Sequence, residues 1–143
     1  MKGKIFGKVV AIIIAILVLF SIGYRTIGRW TKKSVREQLE QICVEQSKNM
    51  PMKIDDQTIV TSIELGVGET LIYNYETRGI NFEEIDLKVF KNELRKQLEH
   101  AYFNNKQFKP FRDNNVTLVF RYFTPEKKLI TEVKVNKNTI VSK

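Results

Sequence analysis

The chain has 143 residues, with 24 Lys and Arg against 16 Asp and Glu, a formal net charge of +8, one His and one Cys. That length holds one ordinary domain, and a single cysteine excludes both an intramolecular disulfide and an all-cysteine zinc site. The positive balance does not by itself indicate a nucleic-acid binder, because residues 1–36 hold eight Lys and Arg and no acid, leaving sixteen basic and sixteen acidic side chains afterwards.

The first element is an uncharged apolar run at residues 9–23, preceded by Lys2, Lys4 and Lys8 and followed by Arg25, Arg29, Lys32 and Lys33. A bilayer core of roughly 30 Å needs about 20 apolar residues at about 1.5 Å each, and Ile5 and Phe6 lengthen the run if Lys8 lifts its ammonium back to the headgroups. Val9, Ile12, Ile13, Ile16, Leu17, Leu19 and Phe20 supply the lipid-facing surface, and Tyr24 and Trp30 fall where aromatic rings favour the water–lipid boundary. The competing reading is a signal peptide cleaved after Gly23, since Ser21-Ile22-Gly23 loosely meets the small-x-small rule. Tyr24 and Arg25 follow at once, which favours an uncleaved single-pass anchor. No cysteine stands at the end of the run to carry a lipid. The expected division is therefore an anchor with basic flanks at 1–30 and one α+β domain at 31–143. The basic groups on the two sides nearly balance and lean toward a cytoplasmic body.

From Thr31 the spacing predicts a helix with Val35, Leu39, Ile42, Cys43 and Gln46 on one face, ending before Pro51 because the residue preceding proline is pushed out of helical geometry. Residues 58–65 and 70–77 alternate with the strand period, and Gly66-Val67-Gly68-Glu69 between them predicts a hairpin. Residues 82–103 return to helical spacing, with Ile85, Leu87, Phe90, Leu94, Leu98, Ala101 and Tyr102 as the stripe and Asn81 as the expected cap. After a polar loop through Pro110, residues 116–123 and 129–135 read as two more strands. The order is α-ββ-α-ββ, and a four-stranded antiparallel sheet with helices on one face is the economical arrangement.

Ile54-Asp55-Asp56 leading into the first strand, Tyr73 and Tyr75 in the second strand of that hairpin, His100-Ala101-Tyr102 before the loop and the aromatic strand at 116–123 resemble a group of small bacterial envelope proteins. The α/β class of type II secretion pilotins is similar to this group. The resemblance implies the α+β fold and a periplasmic body, and so turns the expected orientation against the charge count. Those proteins carry a disulfide and pilotins a lipid anchor; here the disulfide cysteines and the lipidation cysteine are absent.

No constellation specifies a reaction, and no cofactor or metal is expected. Cys43 lies on the apolar stripe of the first helix and reads as a small buried hydrophobe; His100 has no partner at a ligand or triad offset. Asp55-Asp56 and Glu83-Glu84 are adjacent acids at element starts, and Gly66-Val67-Gly68 joins two strands, so it is no phosphate-cradling loop. Tyr73, Tyr75, Phe120, Tyr122 and Phe123 exceed what one face of a small sheet hides, which makes them the expected partner surface. Residues 37–87 carry three basic and eleven acidic side chains and residues 88–143 thirteen and five, so the halves should attract. The combined expectation is a non-catalytic, membrane-tethered module that binds a protein of the bacterial inner-membrane envelope. The alternative is a nucleic-acid or anionic-lipid binder using Lys91, Arg95, Lys96, Lys106, Lys109 and Arg112 with Tyr102, Phe103, Phe108 and Phe111 interleaved. Nothing in the sequence supports a homo-oligomer.

Overall fold

A computed structural model describes residues 34–54 and 56–139. The apolar run at 9–23, Tyr24 and Trp30 lie outside the described residues, among which no helix is long and apolar enough to cross a membrane.

Helix α1 spans Val35–Ser47 and buries Gln38, Leu39, Ile42 and Gln46. Its first turn is closed by Ser34, whose Oγ accepts from the Glu37 amide at 3.2 Å, satisfying one of the donors a helix start leaves free. Strand β1 (Met52–Lys53), β2 (Thr58–Leu65) and β3 (Thr70–Thr77) follow, then α2 (Leu87–Asn104), a 3-10 turn at Lys106–Phe108, α3 (Lys109–Asp113), β4 (Thr117–Phe123) and β5 (Leu129–Val135).

Helix α2 begins five residues later than its hydrophobic stripe predicts, because Asp86 caps it: the Oδ1 accepts from the Lys88 and Val89 amides at 3.1 and 3.2 Å. Asn81, the expected cap, closes a separate turn with the Glu83 amide at 3.1 Å. Phe82 and Ile85 still pack on the core from that turn, Phe82 meeting the edge of Phe90 at 5.7 Å, whereas Leu87 is exposed. The C-terminal end of α2 is held from outside. The Arg112 guanidinium donates to the carbonyl of Tyr102, one of the acceptors a helix end leaves unpaired, and to that of Asn105, which also accepts from the Phe108 amide at 3.1 Å.

The sheet corrects the expected four-stranded antiparallel arrangement: it has five strands in the order β1-β2-β3-β4-β5, and it is mixed. Met52 and Lys53 pair antiparallel with Val60 and Ile59, a strand too short to show any period in the sequence. At the centre β3 and β4 are parallel, in register from Thr70 opposite Thr117 to Glu76 opposite Phe123. Strand β3 ends at Thr77, and α2 carries the chain back along the sheet to the end where β3 began, so β4 sets off in the same direction. The two hairpins are antiparallel, with an irregularity in β2 between Val60 and Ser62.

Both helices lie on one face. The row facing them runs Val60 and Ile63 on β2, Leu71, Tyr73 and Tyr75 on β3, Leu118, Phe120 and Tyr122 on β4 and Val133 and Val135 on β5, packed with Leu39, Ile42, Phe90, Leu94, Leu98 and Tyr102. Parallel register sets Tyr73 against Phe120 at 5.9 Å and Tyr75 against Tyr122 at 5.0 Å, both stacked. Tyr73 donates its hydroxyl to Gln46 Oε1 at 3.2 Å and Tyr102 to the Val116 carbonyl at 2.9 Å. The Tyr75 and Tyr122 hydroxyls are buried and make no hydrogen bond among the described residues. Tyr75→Phe and Tyr122→Phe are accordingly expected to leave the urea midpoint nearly unchanged, whereas Tyr102→Phe, which orphans a buried carbonyl, should lower stability by about 1–2 kcal/mol.

Candidate functional site

The opposite face of the sheet is the one that no helix among the described residues covers. Successive strand residues point to opposite sides, so the row behind the tyrosines consists of Ile72, Asn74 and Glu76 on β3 and Val119, Arg121 and Phe123 on β4, with Glu64 on β2 and Glu132 and Lys134 on β5. A concavity of about 390 Å³ opens on it, lined by Glu64, Asn74, Glu76, Arg121, Phe123 and Lys127 among others, and no helix residue contributes to it.

Its floor is cross-braced. The Asn74 amide, 8% exposed, donates to Ser62 Oγ at 2.9 Å and to Glu64 Oε2 at 3.1 Å. Arg121 Nε donates to Glu132 Oε2 at 2.8 Å, and its Nη1 lies 3.8 Å from Glu64 Oε2. Four strands, β2 to β5, are thereby linked through side chains. Ion pairs this open to water add little stability; the network instead holds carboxylates and a guanidinium in fixed positions beside the partly buried Phe123 ring. Such a surface suits a partner offering hydrogen bonds and charges of both signs around one apolar contact.

Of the five residues expected to form a partner surface, four are corrected. Tyr73, Tyr75, Phe120 and Tyr122 are at most 1% exposed, because they form the row turned toward the helices. Phe123, one residue beyond that row, is partly exposed and lines the concavity. The polar residues around it, Glu64, Asn74, Arg121 and Glu132, were missed, although their alternation with the aromatic row was a readable signal.

The basic and aromatic patch is also rearranged. Tyr102, Phe108 and Phe111 are buried, Phe103 is half-buried, and no open ring platform of the kind that stacks bases remains there. Its cations are partly neutralised: Lys109 meets Asp113 at 2.6 Å, Arg95 lies 3.9 Å from Glu99 and Lys96 4.0 Å from Glu93.

Cys43 is half-buried on α1, and burial, with Glu40 and Glu64 nearby, pushes its thiol up from 9.0 to about 11. This opposes the lowering that activates a nucleophilic thiolate. The folded state holds the proton more tightly than the unfolded state, so this contribution to stability is complete below pH 9 and is lost as pH rises toward about 11. Cys43→Ala should flatten that part of the alkaline stability profile, measured by urea unfolding at stepped pH. His100 is exposed on α2, its carbonyl accepting from the Asn104 amide at 2.9 Å. Among the described residues no group of three or more His, Cys, Asp or Glu is placed to hold a metal ion.

No described protein family matches the chain. Protein K of Escherichia coli is 26% identical over 94 residues, which cover 64% of this chain and 50% of that protein, so the chain spans half the length of this curated relative. Two solved structures share the fold. One, a protein of Pseudomonas aeruginosa described as secreted, superposes with a TM-score of 0.57 at 14% identity, over 71% of this chain and 88% of the other. The pilotin EpsS from the Vibrio vulnificus type 2 secretion system superposes with a TM-score of 0.51, also at 14% identity, over 72% of this chain and 92% of its own. The resemblance to pilotins holds at the level of the fold.

Proposed function

We propose that the chain is a membrane-tethered accessory module of the bacterial cell envelope that works by binding another envelope protein and catalyses no reaction. The observation that carries this reading is the helix-free sheet face, braced by Asn74 and Arg121 and carrying Phe123 at the rim of a concavity. Two further features support it: the apolar run at 9–23 with its basic flanks, suited to an uncleaved single-pass anchor, and the shared fold of a secretion pilotin. The periplasmic side is the one the fold likeness favours for the body.

The test is in-cell photocrosslinking from position 123. A discrete adduct with one envelope protein is expected from Phe123 and not from the buried position Tyr75. A purified full-length chain that turns over a substrate alone would overturn the reading, as would a chain left in the supernatant after gentle lysis. A reporter fused after Lys143 that is active only on export is the expected result for the body's location.

A further inference from the structure

The end of the body at which the N-terminal segment joins it collects features that the partner-binding face does not use. Arg36, in the first turn of α1, donates to the Gly66 and Gly68 carbonyls at 3.1 and 2.7 Å, which fixes the β2–β3 turn beside the start of the helix. At the apex of that turn Val67 is 97% exposed. The Thr117 amide donates to the Glu69 carbonyl at 2.8 Å, so the start of β4, and α3 just before it, lie at this same end. Strand β5 finishes here too, Asn136 reaching Thr117 at 3.5 Å.

These elements bring together cations that are far apart in sequence. Lys106, Lys109 and Lys137 are exposed, and Arg112 stands behind them at the end of α2. Asp113 reports the clustering: its carboxyl is held below the usual range by the hydrogen bond from Lys109 and by the charges of Lys109, Arg112 and Lys137. Asp113 and Glu69 are acids within the group, and Glu40 faces Arg36 at 4.0 Å. The sequence continues the same sign into the segment before Ser34, with Lys33, Lys32, Arg29 and Arg25 between it and the apolar run.

We propose that this end of the body is a second, electrostatic contact with an anionic lipid surface, made by Lys106, Lys109 and Lys137 around the exposed Val67. The inference rests on the tethered reading above and adds which surface of the body meets the bilayer. The 11 residue-to-residue steps from Gly23 to Ser34 span at most roughly 40 Å even when fully extended, so the tether keeps this end at high local concentration near the headgroups. Each lysine near an anionic surface favours docking about fivefold at moderate salt. Val67 adds a small apolar group at the depth where the interface tolerates one. Docked this way, the β4–β5 turn points away from the bilayer and the helix-free sheet face stays open at the side.

The test uses the full-length chain in vesicles of phosphatidylcholine with or without phosphatidylglycerol. In a Cys43→Ala background, an environment-sensitive fluorophore is placed by Val67→Cys and, as the far-end control, by Glu126→Cys. The expected result is shielding of the Val67 label from an aqueous quencher in the phosphatidylglycerol vesicles only, reversed by high salt and reduced about fivefold by each of Lys106→Gln, Lys109→Gln and Lys137→Gln. The Glu126 label should stay accessible throughout. Equal access to both labels in protein that resists carbonate extraction would overturn this contact and leave the tether standing. Equal shielding in phosphatidylcholine alone would remove the electrostatic basis. Protein that never associates with either vesicle would overturn the tether and this contact with it. Shielding by a single-stranded oligonucleotide without vesicles would reassign the patch to nucleic acid and overturn the lipid assignment.

Discussion

Phe120→Ala is expected to destabilise the body by about 3–5 kcal/mol, the range for removing a buried ring whose surroundings only partly collapse. Phe120 is 1% exposed at the middle of β4, stacked on Tyr73 and tilted against Tyr75 at 6.4 Å. Its loss opens a cavity across the parallel pairing of β3 and β4 and removes ring contacts on both tyrosines. For a domain this small the cost is a large fraction of total stability, so the variant should show a lower urea midpoint and, near 37 °C, substantial unfolding. Phe123→Ala is the informative contrast. Three residues along the same strand but on the other face, it should cost under about 1 kcal/mol, with circular dichroism unchanged, while abolishing the adduct formed from a crosslinker placed at Lys127 on the rim of the same concavity. Equal destabilisation by the two variants would mean that Phe123 belongs to the packed interior and would count against the helix-free face as a binding surface.

Arg112→Ala should cost about 2–3 kcal/mol. The guanidinium donates to two main-chain carbonyls at the end of α2, and hydrogen bonds with a charged partner are worth more than neutral ones. Without it, the Tyr102 carbonyl loses this donor while the Tyr102 ring remains buried, and the Asn105 carbonyl keeps only the Phe108 amide at 3.1 Å. Hydrogen exchange provides a local readout: amides in the last turn of α2 and in the 3-10 turn at Lys106–Phe108 should lose protection before those of β3. Arg112→Lys should recover only part of the loss, since an ammonium cannot present two fixed donors in one plane. If α2's last turn stays protected in Arg112→Ala, water satisfies those carbonyls equally well and the capping role fails.

Much of the architecture was legible because hydrophobic period is local. Residues 58–65, 70–77 and 129–135 have the same limits in the sequence reading as the strands that form, since their strand period is marked off by turn-forming residues such as Gly66, Gly68, Pro125 and Asn136. The start of α2 was misplaced because Phe82 and Ile85 pack from a turn and mimic helical spacing, whereas Asp86 supplies the cap that settles the boundary. Pairing direction was the larger miss. A helix between two strands is itself a reason to expect a parallel pair, and the expectation of two consecutive hairpins in one antiparallel sheet did not weigh it. The facing of the aromatic row was misplaced for a related reason: aromatic content marks a row as energetically important without saying which side of the sheet it occupies. Only contact with α1 and α2 decides that Tyr73, Tyr75, Phe120 and Tyr122 look inward.

The irregularity in β2 between Val60 and Ser62 bears on how the molecule avoids its own kind. β1 pairs with β2 only at Val60 and Ile59, so among the described residues the rest of β2 has no strand beyond it, and a flat edge there would template pairing with another copy. A bulge bends and twists such an edge away from flatness, while the other outer strand, β5, carries Glu132 and Lys134 toward water. These small imperfections act as a safeguard against runaway polymerisation.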